Sequence, residues 1–317
     1  MDIAGVRHGS ATVNGIQMHY LEAGEGPLVI LCHGWPGYCG TWRHQLRALA
    51  TAGYRAVAPD MRGYGYTDAP EAVDTYSIHH LVGDIVDLVF TLGAQQAVVV
   101  GHDWGASVAW HAAFMRPDVF SAVAALSVPL RRRPAIPPLQ ALRQAQLGDY
   151  YWIYFQEPGI AEEEFERDTR STLQRLMFSV RHAFHLRVPA GKGFLDGADK
   201  TPAMPAWMDG DDFDALVAEY QRTGFRGGLN WYRNLDRNWE LTAPFANVTV
   251  RQPACFIAGT LDGVIRGPIG EAALAEMPAL VPGLRQKMLI DGAGHWINEQ
   301  CPTEVNGELV RFLNTVS

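Results

Sequence analysis

The segment Gly101-His102-Asp103-Trp104-Gly105 places one carboxylate between two glycines. It follows the apolar run Ala97-Val98-Val99-Val100 and opens a helix expected over 104–115. Glycine at both flanks suits a turn too tight for a Cβ at those places. A G-x-D-x-G string alone also fits an ordinary turn. At a strand-to-helix junction it matches the nucleophile elbow, with Asp where Ser is more usual. The chemistry then differs from that of serine. An aspartate is ionised at neutral pH without a base, and it can displace a leaving group at a saturated carbon to leave an alkyl ester. A base is needed only afterwards, to activate the water that hydrolyses the ester.

His295, in Asp291-Gly292-Ala293-Gly294-His295-Trp296, suits that second step. An imidazole with a pKa near 6.5 can take a proton from water at neutral pH. Its orienting carboxylate should stand just past a strand end, where Asp262 follows the run 254–258. The order nucleophile, acid, histidine is the one this arrangement uses. Asp291 and Asp236 are the rival acids; the first is only four residues from His295 and the second lies in the middle segment. The ester-hydrolysis step also needs an oxyanion hole. The backbone N–H groups of Trp35, in His33-Gly34-Trp35-Pro36, and of Trp104 are the expected donors. His33 is read as a residue that pins its loop by hydrogen bonds.

These residues must be held by a repeating frame. Strands are expected at 16–22, 27–32, 54–58, 97–100, 119–128, 254–258 and 285–290, and helices at 41–52, 78–92, 104–115, 268–277 and from 302. Strands apolar throughout and separated by helices indicate an α/β fold with a parallel sheet covered on both faces. Residues 131–245 break the rhythm, with prolines at both ends and many aromatics. They are expected to form an inserted helical lid over the strand ends, where open parallel sheets bind ligands. Residues 1–130 and 246–317 are then the two parts of one core.

A net charge of −8 disfavours nucleic acid or an anionic membrane as partner. The run Arg131-Arg132-Arg133 is expected to be a solvated turn. Cys32, Cys39, Cys255 and Cys301 have neither a CxxC pair nor metal-ligand spacing, so no metal and no cofactor are expected. No stretch approaches the length of a membrane span, and Asp2, Arg7 and His8 leave no apolar signal region. A cytoplasmic location is the expectation; a homodimer stays open.

The motifs HGWPG, APDMRGYGYTDAP, VVVGHDWGASVAW, YFQEPGIAE, GFRGGLNWYRNLDRNW, IAGTLDGVI and GAGHWINEQCPTEVN together resemble the α/β-hydrolase-fold epoxide hydrolases. The resemblance runs over nearly the whole chain. It implies a mostly parallel eight-stranded sheet flanked by helices, with an inserted cap. It implies conversion of a small apolar epoxide and water to a vicinal diol, through an ester on Asp103. It also implies that YFQEPG and NWYRN each supply a tyrosine to the epoxide oxygen, here Tyr154 and Tyr232, with Tyr150, Tyr151 and Tyr220 left as packing aromatics. Such a donor is needed because the oxygen leaves as an alkoxide, and a phenol stays protonated at pH 7. Gly37-Tyr38-Cys39-Gly40 and Tyr66 depart from the family pattern and are expected to reshape one wall of the substrate site. Two other readings stay open: a haloalkane dehalogenase using the same Asp-His-Asp set, and a non-catalytic binding protein of the same fold.

Overall fold

The computed structural model describes residues 5–179 and 187–316. Asp2 and residues 180–186 of the expected lid therefore lie outside the described residues. Eight strands form one sheet in the order β1-β2-β4-β3-β5-β6-β7-β8. They are β1 Arg7–Val13, β2 Ile16–Ala23, β3 Leu28–Cys32, β4 Arg55–Pro59, β5 Ala97–His102, β6 Phe120–Leu126, β7 Ala254–Gly259 and β8 Leu284–Ile290. The β1–β2 and β2–β4 pairs are antiparallel; every pair from β4 through β8 in the sheet is parallel. The central strands are buried from end to end, which explains their unbroken apolar sequences.

Strand β1 has no counterpart among the sequence expectations. Its residues RHGSATV alternate exposed and buried only toward the end, as suits an edge strand. The hairpin joining it to β2 turns on Asn14 and Gly15, with φ of 44° and 80°. Asn-Gly is the pair such a two-residue turn prefers.

Helices α1 Arg43–Thr51, α2 Ile78–Thr91 and α3 Trp104–Met115 connect the first strands. Between β6 and β7 the chain forms α4 Pro138–Gln144, α5 Tyr151–Tyr154, α6 Ile160–Glu166, α7 Thr169–Phe178, α8 Gly210–Thr223, α9 Arg226–Arg233 and α10 Leu235–Leu241. After β7 come α11 Gly267–Leu280, α12 Ile297–Gln300 and α13 Pro302–Leu313. Among the described residues no helix is long and apolar enough to cross a membrane.

The helices between β6 and β7 are tied to the loops that follow β3 and β4. Trp231 donates from Nε1 to the Arg62 carbonyl at 3.1 Å, and Tyr220 donates to the Gly37 carbonyl at 3.3 Å. A Cβ on Gly227 would meet the Gly63 carbonyl oxygen at 2.0 Å, so α9 reaches this loop only as glycine. Arg43 bridges Asp212 at 2.6 Å and Glu299 at 2.7 Å, joining α8 to the core.

Candidate active site

Asp103 follows β5 and precedes α3 with φ 55° and ψ −121°, a region that L residues rarely occupy. The turn closes on its neighbours so tightly that side chains at either glycine would collide. A Cβ at Gly101 would meet the Gly105 carbonyl at 2.0 Å, and one at Gly105 would meet the Cys32 carbonyl at 2.0 Å. The sharp turn lifts the carboxylate away from the sheet, toward the helices above it.

Three residues far apart in the chain meet there. His295 directs Nε2 at Asp103 Oδ2 (3.4 Å) and Nδ1 at both oxygens of Asp262 (3.1 and 3.2 Å). Asp262 is wholly buried after β7, and its Oδ1 also accepts from the Val264 amide at 2.9 Å. The His295 carbonyl accepts from His102 Nε2 and from Ser127 Oγ, both at 2.8 Å, so its backbone is held from two sides. His102 must carry its proton on Nε2 to make that bond, and burial lowers its pKa to about 4.

The charges are set by their neighbours. Burial alone would lower the His295 pKa, but Asp262 and Asp103 raise it to about 10. Burial alone would raise that of Asp103, but His295 and the Trp35 amide hold it below the ordinary carboxylate value. The pair is therefore ionised at neutral pH.

Trp35 donates its amide to Asp103 Oδ1 at 2.8 Å. Trp104 is the first residue of α3, where a helix leaves its N–H groups without an intrahelical acceptor. His33 lies below them. Its Nδ1 donates to the Gly34 carbonyl at 2.9 Å and its Nε2 accepts from the Met61 amide at 3.0 Å. It joins the loops that follow β3 and β4. Asp291 instead accepts from Thr260 Oγ1 at 3.0 Å at the surface, and Asp236 accepts from the Leu139 amide at 2.9 Å. Neither reaches His295.

The tyrosines divide differently from the sequence expectation. A cavity of about 320 Å³ runs from Asp103 and Trp104 past Tyr151 and Tyr232 to the protein surface. Tyr232 is 2% exposed, packed edge-on against Trp104 at 5.1 Å and Trp35 at 5.8 Å. Tyr151 lies 5.8 Å from it, centroid to centroid. Burial pushes both phenols well above their ordinary pKa, and the charge of Asp103 adds to the effect on each. Tyr154 is elsewhere. Its hydroxyl donates to Glu164 Oε2 at 2.9 Å, and its ring borders a separate cleft beside Glu163 and Arg175. On the short helix α5, positions 151 and 154 are about one turn apart, and the sequence alone does not say which one points inward. The missed signal is local: Glu164, ten residues after Tyr154, offers its hydroxyl a polar partner.

The two departures from the family pattern do not wall this cavity. Tyr66 is 61% exposed, with the Arg222 guanidinium 3.9 Å over its ring. Tyr38 is buried and packs on Gly40, where a Cβ would meet its ring at 2.3 Å. Neither segment is among the residues lining the space around Asp103.

A family model described as alpha/beta hydrolase fold matches residues 27–302. Epoxide hydrolase A of Mycobacterium tuberculosis is 46% identical over 310 residues, covering 95% of each chain. The chain belongs to the epoxide hydrolases of the α/β-hydrolase fold. Epoxide hydrolase 2 of Siraitia grosvenorii is 40% identical over 97% of this chain and 98% of its own. Among solved structures, Epoxide Hydrolase A from Mycobacterium thermoresistibile superimposes with a TM-score of 0.91 at 41% identity, covering 98% of this chain and 99% of that one. An epoxide hydrolase from Vigna radiata gives 0.92 at 37% identity, over 99% and 100%. The family membership therefore extends across the helices between β6 and β7 as well as the sheet.

Proposed function

We propose that the protein converts apolar epoxides to vicinal diols through an alkyl ester on Asp103, with Tyr151 and Tyr232 as proton donors. The observation that carries this reading is the convergence of a carboxylate and two buried phenols on one cavity. Asp103 attacks one epoxide carbon from the side opposite the breaking C–O bond. The ring oxygen takes a proton from a phenol as it leaves, since an alkoxide is a poor leaving group without one. A departing halide needs no proton, so two phenols above the nucleophile would be idle in dehalogenation.

The electrostatics of the triad change with the first step. Esterification removes the negative charge of Asp103, one of the two carboxylates that raise the His295 pKa. His295 can then release its proton, which through solvent restores the one given by tyrosine. The neutral imidazole, still oriented by Asp262, takes a proton from water as that water attacks the ester carbonyl. The tetrahedral oxyanion is held by the amides of Trp35 and Trp104, and its collapse frees the diol and Asp103. The helical segment 131–245 serves as the lid that supplies both phenols and shields the reacting centre from bulk water.

A single turnover in ¹⁸O-labelled water with enzyme in excess tests the covalent route. The label is expected in Asp103 and the diol should carry none. Label appearing directly in the diol would mean that water itself attacked the epoxide.

A further inference from the structure

The Gly37-Tyr38-Cys39-Gly40 segment walls no part of the cavity above Asp103, and one of its side chains has other company. Cys39 comes after β3 and opens a short helical turn, Cys39–Trp42. Its thiol is buried beside His19 of β2 and Asp60, the residue that follows β4. His19 Nδ1, Cys39 Sγ and an Asp60 carboxylate oxygen all lie within 4.8 Å of one another. Spacing along the chain hides this cluster, because each member comes from a different strand or loop.

Backbone contacts hold the three residues in place. The Asp60 amide donates to the His19 carbonyl at 2.9 Å, continuing the pairing of β2 with β4. Asp60 Oδ1 accepts from the Cys39 amide at 2.9 Å, and Oδ2 accepts from the Tyr66 amide at 3.0 Å. A Cβ at Gly65 would meet the Asp60 carboxylate at 2.1 Å, so this loop closes over it only with glycine there. His19 Nδ1 stands 2.7 Å from Asp60 Oδ2, and His19 Nε2 stands 2.8 Å from His8 Nδ1. The His19 side chain is 13% exposed, which leaves an ion a way in past the imidazole.

Thiolate, imidazole and carboxylate together are a donor set that zinc takes. A tetrahedral ion at about 2.0–2.3 Å from each donor holds its ligands roughly 3.3–3.8 Å apart. The widest gap here must therefore close by about 1 Å, while the His19–Asp60 pair opens slightly. One thiolate and one carboxylate cancel the charge of a dication, as a buried site requires. We propose that His19 Nδ1, Cys39 Sγ and the Asp60 carboxylate bind a zinc(II) ion, with water as the fourth ligand. The thiol proton passes to solvent as the zinc–sulfur bond forms. The imidazole proton sits on Nε2, where His8 Nδ1 accepts it and so orients the ring toward the metal. The ion ties β2 to the loops after β3 and β4, the first of which carries the Trp35 amide that donates to Asp103.

The test uses the full chain, free of any affinity tag and stripped with a chelator, and the metal alone. One equivalent of zinc(II) should bind with a Kd of about 1 μM or below and raise the melting temperature. Cobalt(II) in the same site should show the intense visible bands of a tetrahedral ion and a thiolate-to-cobalt charge-transfer band in the near ultraviolet. Cys39→Ser should abolish that charge-transfer band and weaken zinc binding by at least about a hundredfold, more than loss of an outer hydrogen-bond partner costs. Cys301→Ser removes the partly exposed thiol and should change neither result. Three results overturn the proposal: wild-type protein that binds no zinc at this strength, zinc binding unaltered by Cys39→Ser, or a charge-transfer band lost in Cys301→Ser. Cobalt bands without thiolate character in the wild type also overturn it, and that reading holds even where Cys39→Ser fails to fold.

Discussion

Replacing each of three tyrosines by phenylalanine separates the two proposed donors from their neighbour. Tyr151→Phe and Tyr232→Phe remove one phenol apiece and leave the ring packing in place, such as the 5.3 Å contact of Tyr151 with Phe155 and the 5.1 Å contact of Tyr232 with Trp104. A donor aimed at developing oxyanion charge contributes roughly 2.7–4 kcal/mol. Each single variant should therefore lose about 10²- to 10³-fold in kcat/KM for diol formation. Tyr154→Phe removes instead a bond to Glu164. That carboxylate keeps the amides of Phe194 at 3.0 Å and Leu195 at 2.9 Å, so nothing buried is left unsatisfied. The cost should be about 1 kcal/mol of stability, with kcat/KM within about a factor of two of wild type. Steady-state turnover of an aryl epoxide, alongside thermal melting, reads both effects. A large loss in Tyr154→Phe with Tyr151→Phe near wild type would refute the assignment. So would three variants of equal activity.

Two further outcomes follow from the packing around Asp103. In the free enzyme the His295 imidazole should titrate near pH 10 by NMR, and Asp103→Asn should move it down by about one to three units, since one of its two anionic neighbours is gone. Because the folded pKa is raised, His295 contributes stability in full below its unfolded value near 6.5, and that contribution fades as pH rises through about 10; chemical denaturation across this range should show a steeper fall for wild type than for Asp103→Asn. An unmoved His295 titration would show that Asp103 does not control it. Gly34→Ala would put a Cβ 2.4 Å from the Cβ and Oδ1 of Asp103. It should cost at least about a hundredfold in kcat through misplacement of the nucleophile, with the far-UV circular dichroism retained; near-normal turnover would mean the loop yields freely.

The sheet was legible wherever a strand is buried on both faces. Val98-Val99-Val100 and Val29-Ile30-Leu31 are apolar without interruption because no side of them meets water. Strand β1 was not legible, since an edge strand with Gly9 and Ser10 carries little of that pattern. Gly9 is there because the ring of Tyr20 crosses it, with a would-be Cβ 2.3 Å away, a contact made only once β1 and β2 pair. The role of His33 in holding its loop was also foreseeable, because a histidine beside a glycine turn commonly serves the backbone.

By itself the sequence singled out Asp103, His295 and Asp262, which the fold brings together. Asp103, His295 and Asp262 each sit next to a strand end, and a parallel sheet carries all its strand ends to one edge. Local order along the chain therefore implied their meeting. It could not decide between Tyr151 and Tyr154, because which face of a short helix turns inward depends on what packs against its other side. Nor could it decide that Arg132 pairs with Glu276 while its neighbour Arg133 lies over the Trp239 ring. Those choices belong to contacts between segments remote in the chain, and only the folded chain makes them.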